Sequence, residues 1–132
     1  MSEFRQIFDT ISMGLVVLDR NLIVTGWNRW MELHSGIPAT DVVGRTITDL
    51  YPALSEGSFH RIVKSVFAFG NYASYSQKLH KHLFPMKNPH GSSVQLPLMQ
   101  QNCTFGPIRD EHRTISAVYI TVKDVTDIVV YE

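Results

Sequence analysis

Apolar side chains at Phe4, Ile7, Phe8 and Ile11 recur at the three- and four-residue intervals of one helix face, with charged residues between them. They predict a short amphipathic helix over 2–11. Gly14 ends that pattern, and Leu15 to Leu18 is a continuous apolar run closed by Asp19-Arg20-Asn21. A second run, Leu22 to Thr25, leads into Gly26-Trp27-Asn28. Two short apolar runs joined by a polar Asp/Asn turn predict a β-hairpin. Asn28 then suits an N-cap, because its side-chain oxygen can accept from the free amides of the next turn. Short helical pieces are expected over 29–34, ending near Ser35-Gly36, and from Thr40 to Gly44, with a turn at Asp49-Leu50-Tyr51-Pro52. The best helix follows: Phe59, Ile62, Val63, Val66 and Phe67 keep helical spacing until Gly70-Asn71 stops it.

Beyond Gly70 the period changes. Residues 72–83 alternate polar and apolar and predict a strand. Asn88-Pro89-His90-Gly91 predicts a turn, 94–105 a second strand, and Gly106 to His112 another turn. Residues 115–122 predict the clearest strand, with Val118, Ile120 and Val122 on one face and Tyr119 and Thr121 on the other. Three consecutive strands with short connections imply an antiparallel meander. Two strands, a cluster of small helices and three more strands make an α+β chain with its helices gathered on one face of the sheet.

Composition narrows the classes. At 132 residues the chain is one domain and can bury a core without staples. Hydrophobic residues make up 44% and charged residues 18%, which excludes a disordered tail or a collagenous repeat. Twelve Lys and Arg balance twelve Asp and Glu, so there is no basic excess of the sort a nucleic-acid binder carries. The single cysteine, Cys103, excludes an internal disulfide and suits a reducing compartment. The first residues lack the apolar core of a secretory signal, and no run is long enough to span a membrane. A cytoplasmic location is expected.

In this order the pieces resemble the PAS domain, the small sensory module of bacterial signalling proteins, over essentially the whole chain. The resemblance rests on Gly14 to Asp19, Leu22 to Asn28, Val43-Gly44-Arg45, Asp49 to Pro52, Gly106 to Asp110 and Val122 to Asp127. The last is the most telling, because PAS domains typically finish their final strand with Asp-(Ile/Val/Leu)-Thr-(Asp/Glu), where a signalling helix begins. The resemblance implies a five-stranded antiparallel sheet in the order 2-1-5-4-3, with helices over one face and a pocket between. It divides the chain into an N-terminal helix over 1–12, a sensor domain over 13–124 and the start of a signalling helix over 125–132. Met99-Gln100-Gln101 and the long hairpin before it look like modules attached to diguanylate cyclases or sensor histidine kinases.

No nucleophile elbow, phosphate-binding loop or HExxH occurs, so the chain is expected to be regulatory rather than an enzyme. The resemblance implies a pocket with Trp30, Met31, Ile47, Val63 and Phe67 as its helical wall. Gln101, Cys103, Phe105, Val118, Ile120 and Val122 would form its sheet wall. Gln101 is informative, since an amide facing an apolar interior needs a partner. A ligand, a water or a backbone group could supply it. The interior could equally be a filled core.

Haem-binding PAS domains take a histidine from the long helix, which makes His60 the candidate, although it lies about 100° from the face set by Phe59. Flavin is the other cofactor considered. Asn102-Cys103-Thr104-Phe105 mimics part of a blue-light motif, but in a strand rather than a helix. His80 and His82 would share one strand face, and His34 would sit at a helix end. In the family, the helix carrying Phe4, Ile7, Phe8 and Ile11 packs beside the sheet or against its counterpart in a homodimer. Asp124 and Thr126 would cap the helix that carries the signal onward. The expectation is a sensor domain that binds a small molecule and regulates a C-terminal effector, against two rivals, a ligand-free dimerisation module and a haem sensor.

Overall fold

The structure is a computed structural model that describes residues 2–89 and 97–127. After helix α1 (Glu3–Thr10), strands β1 (Gly14–Asp19) and β2 (Val24–Trp27) form the predicted hairpin. Three short helices follow, α2 (Arg29–Ser35), α3 (Ala39–Val42) and α4 (Ile47–Leu50), then a tight 3₁₀ turn (Pro52–Ser55) and the long helix α5 (Ser58–Phe69). Strand β3 (Ala73–Tyr75), a single turn of helix α6 (Gln77–His80), and strands β4 (Gln101–Arg109) and β5 (Ile115–Asp124) complete the chain. All strand pairs are antiparallel, and the sheet order is β2-β1-β5-β4-β3.

Side-chain parity sets the layers. Val16 and Leu18 of β1, Cys103 and Phe105 of β4, and Val118, Ile120 and Val122 of β5 point to one buried face. Met31, Ile47, Phe59, Val63 and Val66 close over that face from the helices. Helix α1 lies on the opposite side, where the Phe8 ring sits against Gly26 beside Val17. A side chain at Gly26 would strike both residues. Residues 44–47 run along the outer edge of β2, with Val24 N–H on the Arg45 carbonyl and Ile47 N–H on the Leu22 carbonyl (both 2.9 Å). That covers an edge that would otherwise be open to pairing.

Two expectations are corrected. The alternation over 72–83 gives only three strand residues, because the Asn102 side chain accepts the Gln77 N–H (2.7 Å) and diverts the chain into α6. The turn expected at Gly106 instead begins at Asp110, and β4 continues through Gly106-Pro107-Ile108 paired with β5. Proline is tolerated there because β3 pairs only with Cys103 to Phe105, leaving the Pro107 position without a neighbour on that side. Glycine is needed at 106 because the Tyr119 ring lies across it. Of the strand expected over 94–105, β4 holds only 101–105, residues 97–100 precede it, and 94–96 lie outside the described residues, as do 128–132 of the expected signalling helix.

Asn28 holds the two sides together. It is fully buried, and its Oδ1 accepts from Leu15 N–H (3.0 Å) and, as the expected N-cap, from Met31 N–H (3.2 Å). Its Nδ2 donates to the carbonyls of Phe8 (2.8 Å) and Met13 (3.0 Å). One side chain thus joins α1, β1 and α2 with all four of its hydrogen-bonding positions used. Truncating it strands buried polar groups, each worth about 1–3 kcal/mol. Asn28→Ala is expected to lower the unfolding free energy by about 3 kcal/mol in a urea titration, with Asn28→Asp, which keeps the acceptor, falling between.

Candidate functional site

Most side chains that the sequence marked as pocket walls lie in one buried cluster: Met31, Ile47, Val63, Cys103, Phe105, Val118, Ile120 and Val122. Trp30 and Phe67 stand at its margin, Trp30 against the His34 ring (4.1 Å between centroids) and Phe67 beneath the Arg20 guanidinium. The cluster also draws on a segment that the sequence pattern did not single out. Leu83, Phe84 and Met86, from the connection between β3 and β4, are all buried, as is Met99. The Phe84 ring meets Trp27 and Tyr51 edge-on, at centroid distances of 6.3 and 5.3 Å.

Gln101 fixes that segment. Its Oε1 accepts from the backbone N–H groups of Leu83 and Phe84 (both 3.1 Å), and its Nε2 donates to the Phe84 carbonyl (2.8 Å). Of the partners left open by the sequence, a backbone group supplies them. The register of β4 aims this amide inward, and Gln101 N–H binds the Lys81 carbonyl (2.8 Å), bringing the segment alongside.

Beside Phe84 a cleft of about 350 Å³ opens between α4, the 3₁₀ turn, the start of α5 and residues 82–85. Its walls are mostly apolar (Leu54, Phe59, Leu83, Pro85), with Tyr51, Glu56, Tyr75 and His82 providing the polar groups, Glu56 at the exposed rim. His82 Nδ1 is buried and has no hydrogen-bond partner among the described residues. Burial lowers the His82 pKa, favouring the neutral imidazole, and raises that of Tyr51, keeping its hydroxyl protonated. Such a cleft suits a small molecule with a largely apolar body and a polar group for the tyrosine, histidine and Glu56 side chains of its wall.

The histidines do not fall where the strand pattern placed them. His80 ends α6 and stacks on Tyr75 (4.1 Å), while His82 lies past Lys81, whose φ of 73° turns the chain, so the two do not share a strand face. No group of three His, Cys, Asp or Glu able to hold a metal occurs among the described residues. His60 is exposed at the rim of a different groove, next to Lys64, and does not reach the interior as a haem ligand would have to. Cys103 is buried in β4 and supplies no reactive thiol for a flavin. The signal that could have singled out His82 is weak: a histidine beside Leu83-Phe84-Pro85, in a stretch too apolar for a solvated loop.

The chain's exit is tied to the same strand. Thr126 N–H and Oγ1 both donate to Asp124 Oδ1 (2.9 and 2.6 Å), and Thr126 Oγ1 accepts from Gln100 N–H (2.9 Å). Val125 N–H binds the Gln100 carbonyl (2.8 Å). Gln101 therefore grips the cleft floor while Gln100, its neighbour, grips the exit. At the other end, Phe4 and Ile7 of α1 are 84% and 58% exposed, Ile11 lies at the margin of exposure, and Phe8 packs inward.

The family model described as the PAS fold matches residues 2–125. Solved structures agree in fold. A sensory box sensor histidine kinase from Vibrio cholerae superposes with a TM-score of 0.69 at 21% identity, covering 93% of this chain and 90% of that one. A PAS domain from Colwellia psychrerythraea gives 0.68 at 17% identity, covering 95% and 96%. Vibrio cholerae VqmA, in a complex with ligand and DNA, gives 0.69 at 19% identity over 95% of this chain and 51% of its own. A search of curated proteins found no match. No described helix is long and apolar enough to cross a membrane.

Burial pushes the Cys103 thiol up to about 12. The folded state therefore resists a deprotonation that the unfolded chain undergoes from about pH 9 upward, so stability present below that pH is lost as pH rises. The expected loss is at most about 1.4 kcal/mol per pH unit from about pH 9. Urea titrations across this range check it, and Cys103→Ala should flatten the slope. The native thiol should stay unlabelled by a disulfide reagent until the protein unfolds.

Proposed function

Because this chain belongs to the PAS fold family, we propose that it serves as a sensor domain that takes a small uncharged molecule in the cleft beside Phe84 and biases an effector attached at its C-terminus. The observation that carries this reading is a mostly apolar cleft whose wall includes His82, held toward its neutral form by burial. The solved VqmA complex with ligand and DNA supports it by analogy, and the sensor histidine kinase of Vibrio cholerae is the kind of parent that fits. A diguanylate cyclase is the alternative effector.

A guest shifts output only through different affinities for two states. The route runs from Leu83 in the cleft wall to the Gln101 amide, back one residue to Gln100, and across to Asp124 and Thr126. Gln101 also pairs directly with Asp124 in the sheet, so a displacement of one strand end is felt at the other. Met31, Ile47, Val63, Phe105 and the β5 valines form the wall behind Phe84 that would repack around it.

A second reading, a ligand-free dimerisation module, draws on the filled core and on the open apolar face of α1. The two readings are separable. Phenol, an aryl body with a hydrogen-bonding hydroxyl, is expected to shift the NMR signals of Tyr51, Tyr75 and His82 saturably. His82→Phe should weaken phenol binding tenfold or more and leave toluene unaffected. Absence of a saturable shift at those residues overturns the cleft reading. For α1, Phe4→Glu combined with Ile7→Glu is expected to convert a dimer to a monomer in sedimentation without loss of the fold; a wild-type monomer at high concentration would contradict the dimer.

A further inference from the structure

The long helix α5 carries His60, Arg61 and Lys64 and no acidic residue. Between it and the β1–β2 turn runs a groove of about 280 Å³ lined by Arg20, Leu22, His60, Val63, Lys64 and Phe67, which shares no lining residue with the cleft. Its walls combine two permanent cations and an imidazole with an apolar floor, and none of the six is acidic.

Arg20 is held in advance of any ligand. Its Nη2 donates to the Ile115 carbonyl (2.8 Å), and its guanidinium lies 5.0 Å from the Phe67 ring centroid. A guanidinium seated on a ring and pinned by one carbonyl loses little freedom on binding and still has free N–H groups to offer. Lys64 has no ion-pair partner among the described residues. The aspartates of the two adjoining turns bind backbone amides of their own turns. Asp19 Oδ1 accepts from Asn21 N–H (2.8 Å) and Ile23 N–H (3.0 Å), and Asp110 Oδ1 accepts from His112 N–H (2.9 Å) and Thr114 N–H (3.0 Å). In a chain of zero formal charge, three basic side chains and no acidic one thus line a single apolar-floored groove.

We infer that this groove is a second binding site, for a small organic carboxylate whose apolar body lies on Leu22, Val63 and Phe67 while its anion bridges Arg20 and Lys64. The apolar floor distinguishes it from a plain anion patch, and the fixed guanidinium distinguishes it from an apolar crevice.

The test is an NMR titration of the whole chain with sodium octanoate, with 1-octanol as the uncharged control. Octanoate is expected to shift Leu22, Val63 and Phe67 saturably, and to bind at least tenfold more weakly in the Arg20→Gln/Lys64→Gln double variant and at raised salt. Lys64→Gln alone, an exposed change that leaves the Arg20 anchor in place, should give part of that loss and guards against a folding defect. Octanol binding as tightly as octanoate, octanoate affinity unchanged in Lys64→Gln, or shifts confined to other residues would each overturn the proposal. Shifts at Tyr51 and Tyr75 report the cleft separately.

Discussion

A protein whose helical side includes three pieces of only four to seven residues must satisfy many backbone groups without long ladders to do it. Here two buried amide side chains meet that demand. Asn28 serves the N-terminal junction and Gln101 serves the segment that fills the core. Each accepts two hydrogen bonds through its oxygen, and both sit on or beside the sheet, whose ladder fixes where they point. Without them the irregular segments would have buried polar groups and no reason to lie where they do.

The same arrangement brings function close to structure. The Leu83–Phe84 backbone is held by one side chain rather than by paired strands, so its attachment is local and its bonds are few. That side chain belongs to the first residue of β4, which pairs with the last residue of β5. The cleft and the exit are therefore separated by one strand end, and the Asp124–Thr126–Gln100 set links them by hydrogen bonds of 2.6 to 2.9 Å. The long helix stands between two unlike concavities: an apolar cleft with an unpaired imidazole nitrogen and a groove rimmed by cations. Burial favours the neutral His82 imidazole in the first, whereas Arg20, His60 and Lys64 of the second are exposed.

Local pattern carried the elements that local forces decide. Phe59, Val63 and Val66 at helical spacing gave α5, Gly70 gave its stop at φ 68°, Asn28 gave the cap of α2, and the alternation from Val118 to Val122 a strand with the correct face inward. The ordered set of short motifs, ending in Asp124-Val125-Thr126-Asp127, carried the sheet order because such motifs mark strand ends and turns that a family shares. Local pattern failed at residues 72–83 and at Gly106-Pro107. In both places a distant side chain or strand end decided the outcome: Asn102 on the Gln77 amide, and the short β3 that leaves Pro107 unopposed.

The sequence by itself determined the class of fold, the helix-on-sheet layering and the inward face of each long strand, because period and capping are properties of neighbours along the chain. Only the tertiary structure decided that Phe84 fills the interior, that Gln101 spends its amide on the backbone of residues 83–84, that His82 is left unpartnered in a cleft, and that Arg20 and Lys64 share one groove. Those facts depend on groups far apart in sequence meeting in a water-poor space, and no local periodicity encodes such meetings.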